Sequence, residues 1–373
     1  MTCIKSNNEK NVLLVTEPLI ELSPTRLKLY LLKLGKTTEV SVFKYDFECD
    51  LNRFQAPICA VSSTSVAVIV SPNLYLFDLP VHDDSLSWST TKRTINVGGH
   101  KRLVHCAFAG KYLVLSDRDN KIWFIDCSIL RISTKPMSAH FSIITDLLVP
   151  NPKLIFAAER DMKVRVSSSM CPMDINAYLL GHEGAITSIT CCFLADNNQN
   201  ERFVASASLD GSIKIWDCTD FRCLISHDTS DPIRMIVASS DGLIACAYYK
   251  TPKVDVFRWV DGGKALHHVQ TIKIVFELYA MDFIGRNILY VAASSSERSH
   301  PHVQMFDADN SGSIPEVFHI ALSSVSKFIL PIYYTEEQLA TKEVCSNIES
   351  YKLKRICTGK LDHDSHRTDP LDS

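Results

Sequence analysis

His182, Ser206 or Ser208, and Asp210 carry the side chains of a hydrolytic relay, in which an imidazole takes a hydroxyl proton while a carboxylate orients the ring. The surrounding sequence assigns them different work. Gly181-His182 opens and Trp216-Asp217 closes a unit that reads LLGHEGAITSITCC from Leu179 and FVASASLDGSIKIWDC from Phe203. In a unit of this kind a histidine, a serine, an aspartate and a tryptophan join a loop, two strands and a turn by hydrogen bonds. Each buried polar group then has a partner. The expectation for His182, Ser206, Asp210, Trp216 and Asp217 is a structural network without catalysis.

Other chemistries have less support. No GxGxxG follows a strand, no Walker A is present, and Asp261-Gly262-Gly263-Lys264 lacks the spacing of a phosphate loop. GxSxG and HExxH are absent. No catalytic, cofactor-binding or metal-binding residue is therefore expected in this chain. The 13 cysteines are odd in number and scattered, with no CxxC pair. This points to a reducing compartment, and Cys191-Cys192 reads as buried strand rather than a redox pair.

The elements that must hold these residues recur along the chain. Two weaker copies precede the best one, Gly98 to Cys127 and Ser138 to Ser167, and their histidines His100 and His140 step evenly toward His182. In the best copy three alternations, Ala185 to Cys192, Phe203 to Ser208 and Ser212 to Asp217, read as strands, and a fourth begins at Cys223. Fainter units lie at Val12 to Phe47, Ala60 to Leu79, Ile233 to Trp259 and Leu278 to Asp307. The expected fold is all-β, a seven-bladed WD-repeat β-propeller over residues 1–335, with a short helix and flexible tail over 336–373. Thr335-Glu336-Glu337-Gln338 has the form of a capping box for that helix. Ser23 to Leu31 is compatible with a Pro-started helix, but Leu27, Leu29 and Leu31 on one face favour a strand. Only 13 glycines occur, about half of average usage, so many turns must be atypical.

The weaker copies hold partial networks, His100 with Asp119 and Trp123, and His140 with Asp161, where Arg165 takes the place of the tryptophan. In the segment Glu159 to Val166, Lys163 and Arg165 are two apart and share one strand face. They read either as a solvated edge with local ion pairs or as a charged docking patch for an acidic partner surface.

With 373 residues, 46% hydrophobic and 22% charged, the composition is that of a globular protein. A net charge of -3 argues against a free-standing nucleic-acid binder. The basic stretch Tyr351 to Lys360, with Lys352 and Lys360 near its ends, fits a phosphate track, a nuclear signal or a solvated tail edge. Neither a signal peptide nor a membrane span is readable.

From Ala157 to Thr187 the sequence AAERDMKVRVSSSMCPMDINAYLLGHEGAIT resembles the WD-repeat, non-catalytic subunit of tRNA (guanine-N7)-methyltransferase. The matching residues are Ala158, Arg160, Asp161, Lys163, Arg165, Val166, Ser167, Pro172, Ile175, Leu180, Gly181 and His182. Glu159 and Met162 depart from the family's usual Asp and Glu. The specific likeness covers Leu154 to Trp216. The resemblance implies a propeller that forms a heterodimer with the catalytic subunit and stabilises it. The partner would carry S-adenosylmethionine, and the complex would make 7-methylguanosine in the tRNA variable loop, with tRNA bound through the complex. Arg160, Asp161, Lys163, Arg165 and Glu183 become the expected partner interface, and reversing Lys163 and Arg165 to Glu is expected to release the partner while leaving the propeller folded. The expected location is the nucleus, with the cytoplasm as a second compartment. The alternatives are a generic interaction scaffold, such as a ubiquitin-ligase substrate receptor, and a propeller enzyme. The first is weakened because Cys218-Thr219 follows Trp216-Asp217 where Trp-Asp-x-Arg is common, and no acidic or metal-ligand cluster is readable for the second.

Overall fold

A computed structural model describes residues 4–7, 12–19, 26–34, 40–48, 57–70, 72–79, 92–98, 103–193, 203–229, 231–260, 264–274, 277–284, 288–294, 302–308 and 320–321. Every regular element among them is a strand, and the strands form seven antiparallel sheets. The expected short helix, the tail, the basic stretch and His100 lie outside the described residues.

Six of the sheets are meanders of four consecutive strands, and in sheet 3 the pieces Arg131–Ile132 and Ser138–Ala139 both pair with Lys121–Asp126. The first strands are Ile4–Asn7, Ile58–Val61, Leu103–Ala109, Ile144–Asn151, Ile186–Cys192, Ile233–Ala238 and Glu277–Ile284. Each lies against the first strand of the next sheet, and the first strand of sheet 7 lies against that of sheet 1, so the contacts close a ring. Because no strand is exchanged between sheets 1 and 7 among the described residues, closure there rests on packing between sheets. Arg26–Leu34 is a strand, as the one-sided leucines indicate.

Apolar residues fill the spaces between neighbouring sheets. Val164, Val166 and Leu179 of sheet 4 meet Ile186, Val204 and Trp216 of sheet 5. On the other side of sheet 5, Ile213 and Ile215 meet Ile244 and Trp259 of sheet 6. Thus both faces of a sheet are buried, and Phe203–Ser208 is buried at every position. Small residues in that strand, Ala205, Ser206, Ala207 and Ser208, allow the neighbouring sheets to approach. The outer strand Cys223–Asp228 is mostly open to solvent.

Polar contacts tie the inner strands together. Asp146, on the first strand of sheet 4, accepts from Ser188 Oγ at 3.0 Å and from the Ile189 N–H at 2.9 Å in sheet 5. Thr187 donates to the Ala207 and Ile233 carbonyls, at 3.1 and 2.8 Å.

Candidate docking face

The strands of sheet 5 are Ile186–Cys192, Phe203–Ser208, Ser212–Asp217 and Cys223–Asp228, close to the alternations in the sequence. Its polar network has a consistent direction. Trp216 Nε1 donates to Ser206 Oγ at 2.8 Å, which lies 2.8 Å from His182 Nε2. His182 Nδ1 lies 3.1 Å from Asp210 Oδ2 and 2.9 Å from Ser212 Oγ. Burial lowers the His182 pKa against the pull of Asp210, which keeps the imidazole neutral. Ser206 therefore donates to Nε2, and Nδ1–H faces the carboxylate. Proton order matches a hydrolase relay, yet Ser206 is completely buried and its oxygen is held by Trp216. A substrate cannot reach it, so this set is structural. Ser206 fills the serine position, while Ser208 caps the following turn by accepting from the Asp210 N–H at 3.2 Å. Asp217 holds the next turn through the Thr219 N–H and hydroxyl, both at 2.6 Å.

Sheets 3 and 4 correct the partial networks. Trp123 donates to Asp117 Oδ2 at 2.7 Å, and Asp117 also accepts from the N–H groups of Asp119 and Lys121. Asp117 therefore has the role expected of Asp119. His140 Nδ1 lies 2.7 Å from Glu159 Oε1, so its partner is Glu159 and not Asp161.

Strand register also changes the reading of Arg165. The turn from second to third strand contains a left-handed residue in all three sheets, Asn120 at φ 61°, Met162 at φ 70° and Gly211 at φ 80°. From that common point, Trp123 faces Leu115, Arg165 faces Ala157, and Lys214 faces Ser206 across the ladder. Arg165 is thus level with Lys214. Ser167, facing Ile155, is level with Trp216, which faces Val204. Arg165 therefore takes the place of Trp123, the tryptophan of sheet 3, and not that of Trp216 in sheet 5.

Lys163 and Arg165 are both only 7% exposed. Arg165 donates from Nε to Ser167 Oγ, from Nη1 to the Ala139 carbonyl and from Nη2 to the Pro172 carbonyl, each at 3.1 Å. Ala139 belongs to sheet 3, so the guanidinium fastens one sheet to the next. Lys163 pairs with Glu159 Oε2 at 3.2 Å and with Asp161, and its ammonium lies over the Tyr178 ring. Burial opposes ionisation of Glu159, but the hydrogen bond from His140 and the Lys163 charge outweigh it and lower its pKa. Burial and the neighbouring Glu159 push Asp161 up to about 6. The two cations are therefore buried and engaged inside the chain, and neither is spread over a surface edge. Reversing them to Glu would place carboxylates beside Glu159, Asp161 and main-chain carbonyls, so the expectation of an undisturbed fold is corrected.

The exposed groups on this side are different ones. Phe141 is wholly exposed, in the loop that leads from sheet 3 into sheet 4. Ser142 and Ile143 bind that loop to the 160–161 turn, with Asp161 N–H donating to Ser142 Oγ at 3.2 Å and Arg160 N–H to the Ile143 carbonyl at 3.0 Å. Arg160 and Asp161 are half-buried beside it. Glu183, exposed, is fixed in the equivalent loop of sheet 5 by its N–H to Asp210 Oδ2 at 2.7 Å. Phe141 was missed in the sequence, although a signal existed: charged Lys101 and Glu183 follow His100 and His182, whereas Phe141 follows His140.

Among the described residues no group of His, Cys, Asp and Glu is arranged to hold a metal ion, and no helix is long and apolar enough to cross a membrane. The model of the WD domain, G-beta repeat, matches residues 175–217. A curated relative from Culex quinquefasciatus, named tRNA (guanine-N(7)-)-methyltransferase non-catalytic subunit wuho, is 26% identical over 76% of this chain and 71% of its own length. A relative of the same name from Drosophila pseudoobscura pseudoobscura is 27% identical over 34% of this chain and 31% of its own. The solved structure of U3-55K aligns with 79% of this chain and 88% of its own at a TM-score of 0.58 and 15% identity, a likeness of fold. The WD40 repeats of RRP9 align at a TM-score of 0.55 and 15% identity, over 79% of this chain and 87% of that one. The chain has the β-propeller fold, carries a WD40 repeat at residues 175–217, and is similar over 76% of its length to a protein named as a non-catalytic subunit of tRNA (guanine-N7)-methyltransferase.

Proposed function

We propose that this chain is the non-catalytic scaffold of a tRNA (guanine-N7)-methyltransferase, binding and stabilising a catalytic subunit as a heterodimer. S-adenosylmethionine and the methyl-transfer chemistry belong to the partner. The complex forms 7-methylguanosine in the tRNA variable loop and acts in the nucleus, with the cytoplasm as a second compartment.

The observation that carries the docking reading is Phe141. A fully exposed phenylalanine on a loop tied to the adjoining turn through Ser142 Oγ and the Ile143 carbonyl is a preorganised apolar anchor. Arg160 and Asp161 on the adjoining turn, together with Glu183 on the next loop, supply a polar rim of mixed sign. Lys163 and Arg165 serve this face from beneath, Lys163 by balancing Glu159 and Asp161, and Arg165 by fixing sheet 4 against sheet 3.

Co-expression with a candidate catalytic chain, followed by co-purification and an N7-methylation assay on tRNA, tests the reading. Phe141→Ser combined with Glu183→Lys is expected to abolish co-purification and the gain in methylation while leaving the urea midpoint of the isolated chain unchanged. Retention of the partner at the wild-type yield would overturn this face as the docking site. A wild-type chain that neither binds the catalytic chain nor raises its methylation would overturn the function.

A further inference from the structure

A second exposed apolar site lies at the other end of the same strands. Turns of an antiparallel meander alternate between ends, so the 160–162 turn and the 169–174 loop of sheet 4 are separated by the strand Lys163–Ser168, about 20 Å at the usual rise. On the 169–174 side a cleft of about 440 Å³ opens between sheets 3 and 4.

The sequence of sheet 3 explains the cleft. Its outer edge has only two short pieces, Arg131–Ile132 and Ser138–Ala139, paired to opposite ends of Lys121–Asp126. Between them runs Ser133-Thr134-Lys135-Pro136-Met137, and Pro136 has no N–H with which to continue the ladder. The interruption does not leave an edge ready for another strand. Ser133 N–H donates to the Phe124 carbonyl at 2.7 Å, Ser133 Oγ accepts from the Phe124 N–H at 3.3 Å, and Met137 N–H donates to the Ile122 carbonyl at 2.8 Å. What remains is a recess for side chains. Tyr112 and Phe124, with ring centroids 6.0 Å apart, line it.

Its rim is apolar where solvent would favour polar groups. Ile129 is 66% exposed and Met170 is 84% exposed, and both line the cleft. Met173 and Ile175 extend the exposed apolar surface along the same loop and strand. Unbranched methionines adapt to varied partner shapes. The charge on the rim is positive. Asp126, the one carboxylate in the lining, is paired with Lys111 at 2.9 Å, whereas exposed Arg131 and Lys135 have no carboxylate partner among the described residues.

We propose that this cleft is a second docking site, separate from the Phe141 face, which takes a partner segment carrying a bulky apolar side chain flanked by carboxylates. The recess accepts the apolar side chain, Ile129 and Met170 close over it, and Arg131 and Lys135 attract the flanking acids. A second copy of the chain is the poorer occupant, because a two-fold contact sets each patch on itself and brings the cations of both copies together.

The test uses the full chain and dye-labelled twelve-residue peptides in fluorescence anisotropy. One peptide has a Phe-Leu centre between runs of Glu and Asp, a second has Lys in place of the acids, and a third has Ser in place of Phe-Leu. The acidic apolar peptide is expected to bind, more weakly as salt rises, and the other two at least about tenfold more weakly. Met170→Glu alone, and Arg131→Glu with Lys135→Glu, are each expected to weaken binding by about tenfold or more. Their urea midpoints should match the wild type, since all three residues are exposed, and co-purification of the catalytic chain should be retained. The proposal is overturned if the acidic apolar peptide does not bind, if the Lys peptide binds equally well, or if the substitutions leave binding unchanged. Loss of the catalytic chain on Met170→Glu would make this face part of the primary interface, and concentration-dependent dimerisation abolished by Met170→Glu would make it a self-contact. Either result also overturns the proposal.

Discussion

Replacing Arg165 by alanine separates a structural role from a direct contact with a partner. The guanidinium makes three hydrogen bonds, to Ser167 Oγ and to the carbonyls of Ala139 and Pro172. Ala139 is exposed, so water can satisfy its carbonyl once the arginine is gone, but the bond to Pro172 is buried. A buried acceptor left unsatisfied costs about 1–3 kcal/mol, and the bond to Ser167 contributes about 1 kcal/mol. With the packing lost beside Ile155 and Ala157 between sheets 3 and 4, the total for Arg165→Ala is about 3 kcal/mol. Lys214→Ala is the matched control. It is level with Arg165 one sheet away, and its bond goes to exposed Ser226. Its cost should be within about 0.5 kcal/mol of zero. Urea unfolding of the isolated chain, followed by tryptophan fluorescence, compares the two. Equal midpoints for the variants would refute a structural Arg165 and return it to the partner interface.

Three further outcomes follow from the same geometry. Met162→Gly relieves a left-handed backbone at φ 70° and should raise stability by about 0.5–1 kcal/mol in urea titration, and no gain would count against strain at this turn. Ser206→Ala removes the acceptor of Trp216 and the donor to His182 in a fully buried site, so a loss of about 2–3 kcal/mol is expected. Because burial lowers the folded pKa of His182 below 6.5, the contribution of the neutral ring is complete above pH 6.5 and is lost as pH falls below it. Asp161, raised to about 6, acts in the opposite direction below that pH. His182→Asn should therefore show a smaller fall in urea midpoint between pH 7.5 and 5.5 than the wild type, and equal slopes would contradict a neutral buried His182.

The best repeat was readable almost residue for residue, since Phe203–Ser208 and Ser212–Asp217 are strands at the bounds their alternation marks. The errors fell one and two copies upstream. Asp117 and Asp119 are both acids near a turn, and only the ladder shows which one reaches Trp123. Arg165 stands level with Trp123 of sheet 3, but the shared left-handed turn sets Ser167, and not Arg165, level with Trp216.

The sequence by itself determined the meanders, because strand period, turn residues and sheet pairing are local, and it determined that His182 and Trp216 belong to one network. The tertiary structure alone decided which charges meet solvent. In an ordinary half-buried strand, alternation separates an inner face from an outer one, but here neighbouring sheets cover both faces. The Lys163 and Arg165 face looked available for docking and is instead closed against sheet 3, while Phe141 and Met170, apolar by type, stand in the open at opposite ends of sheet 4.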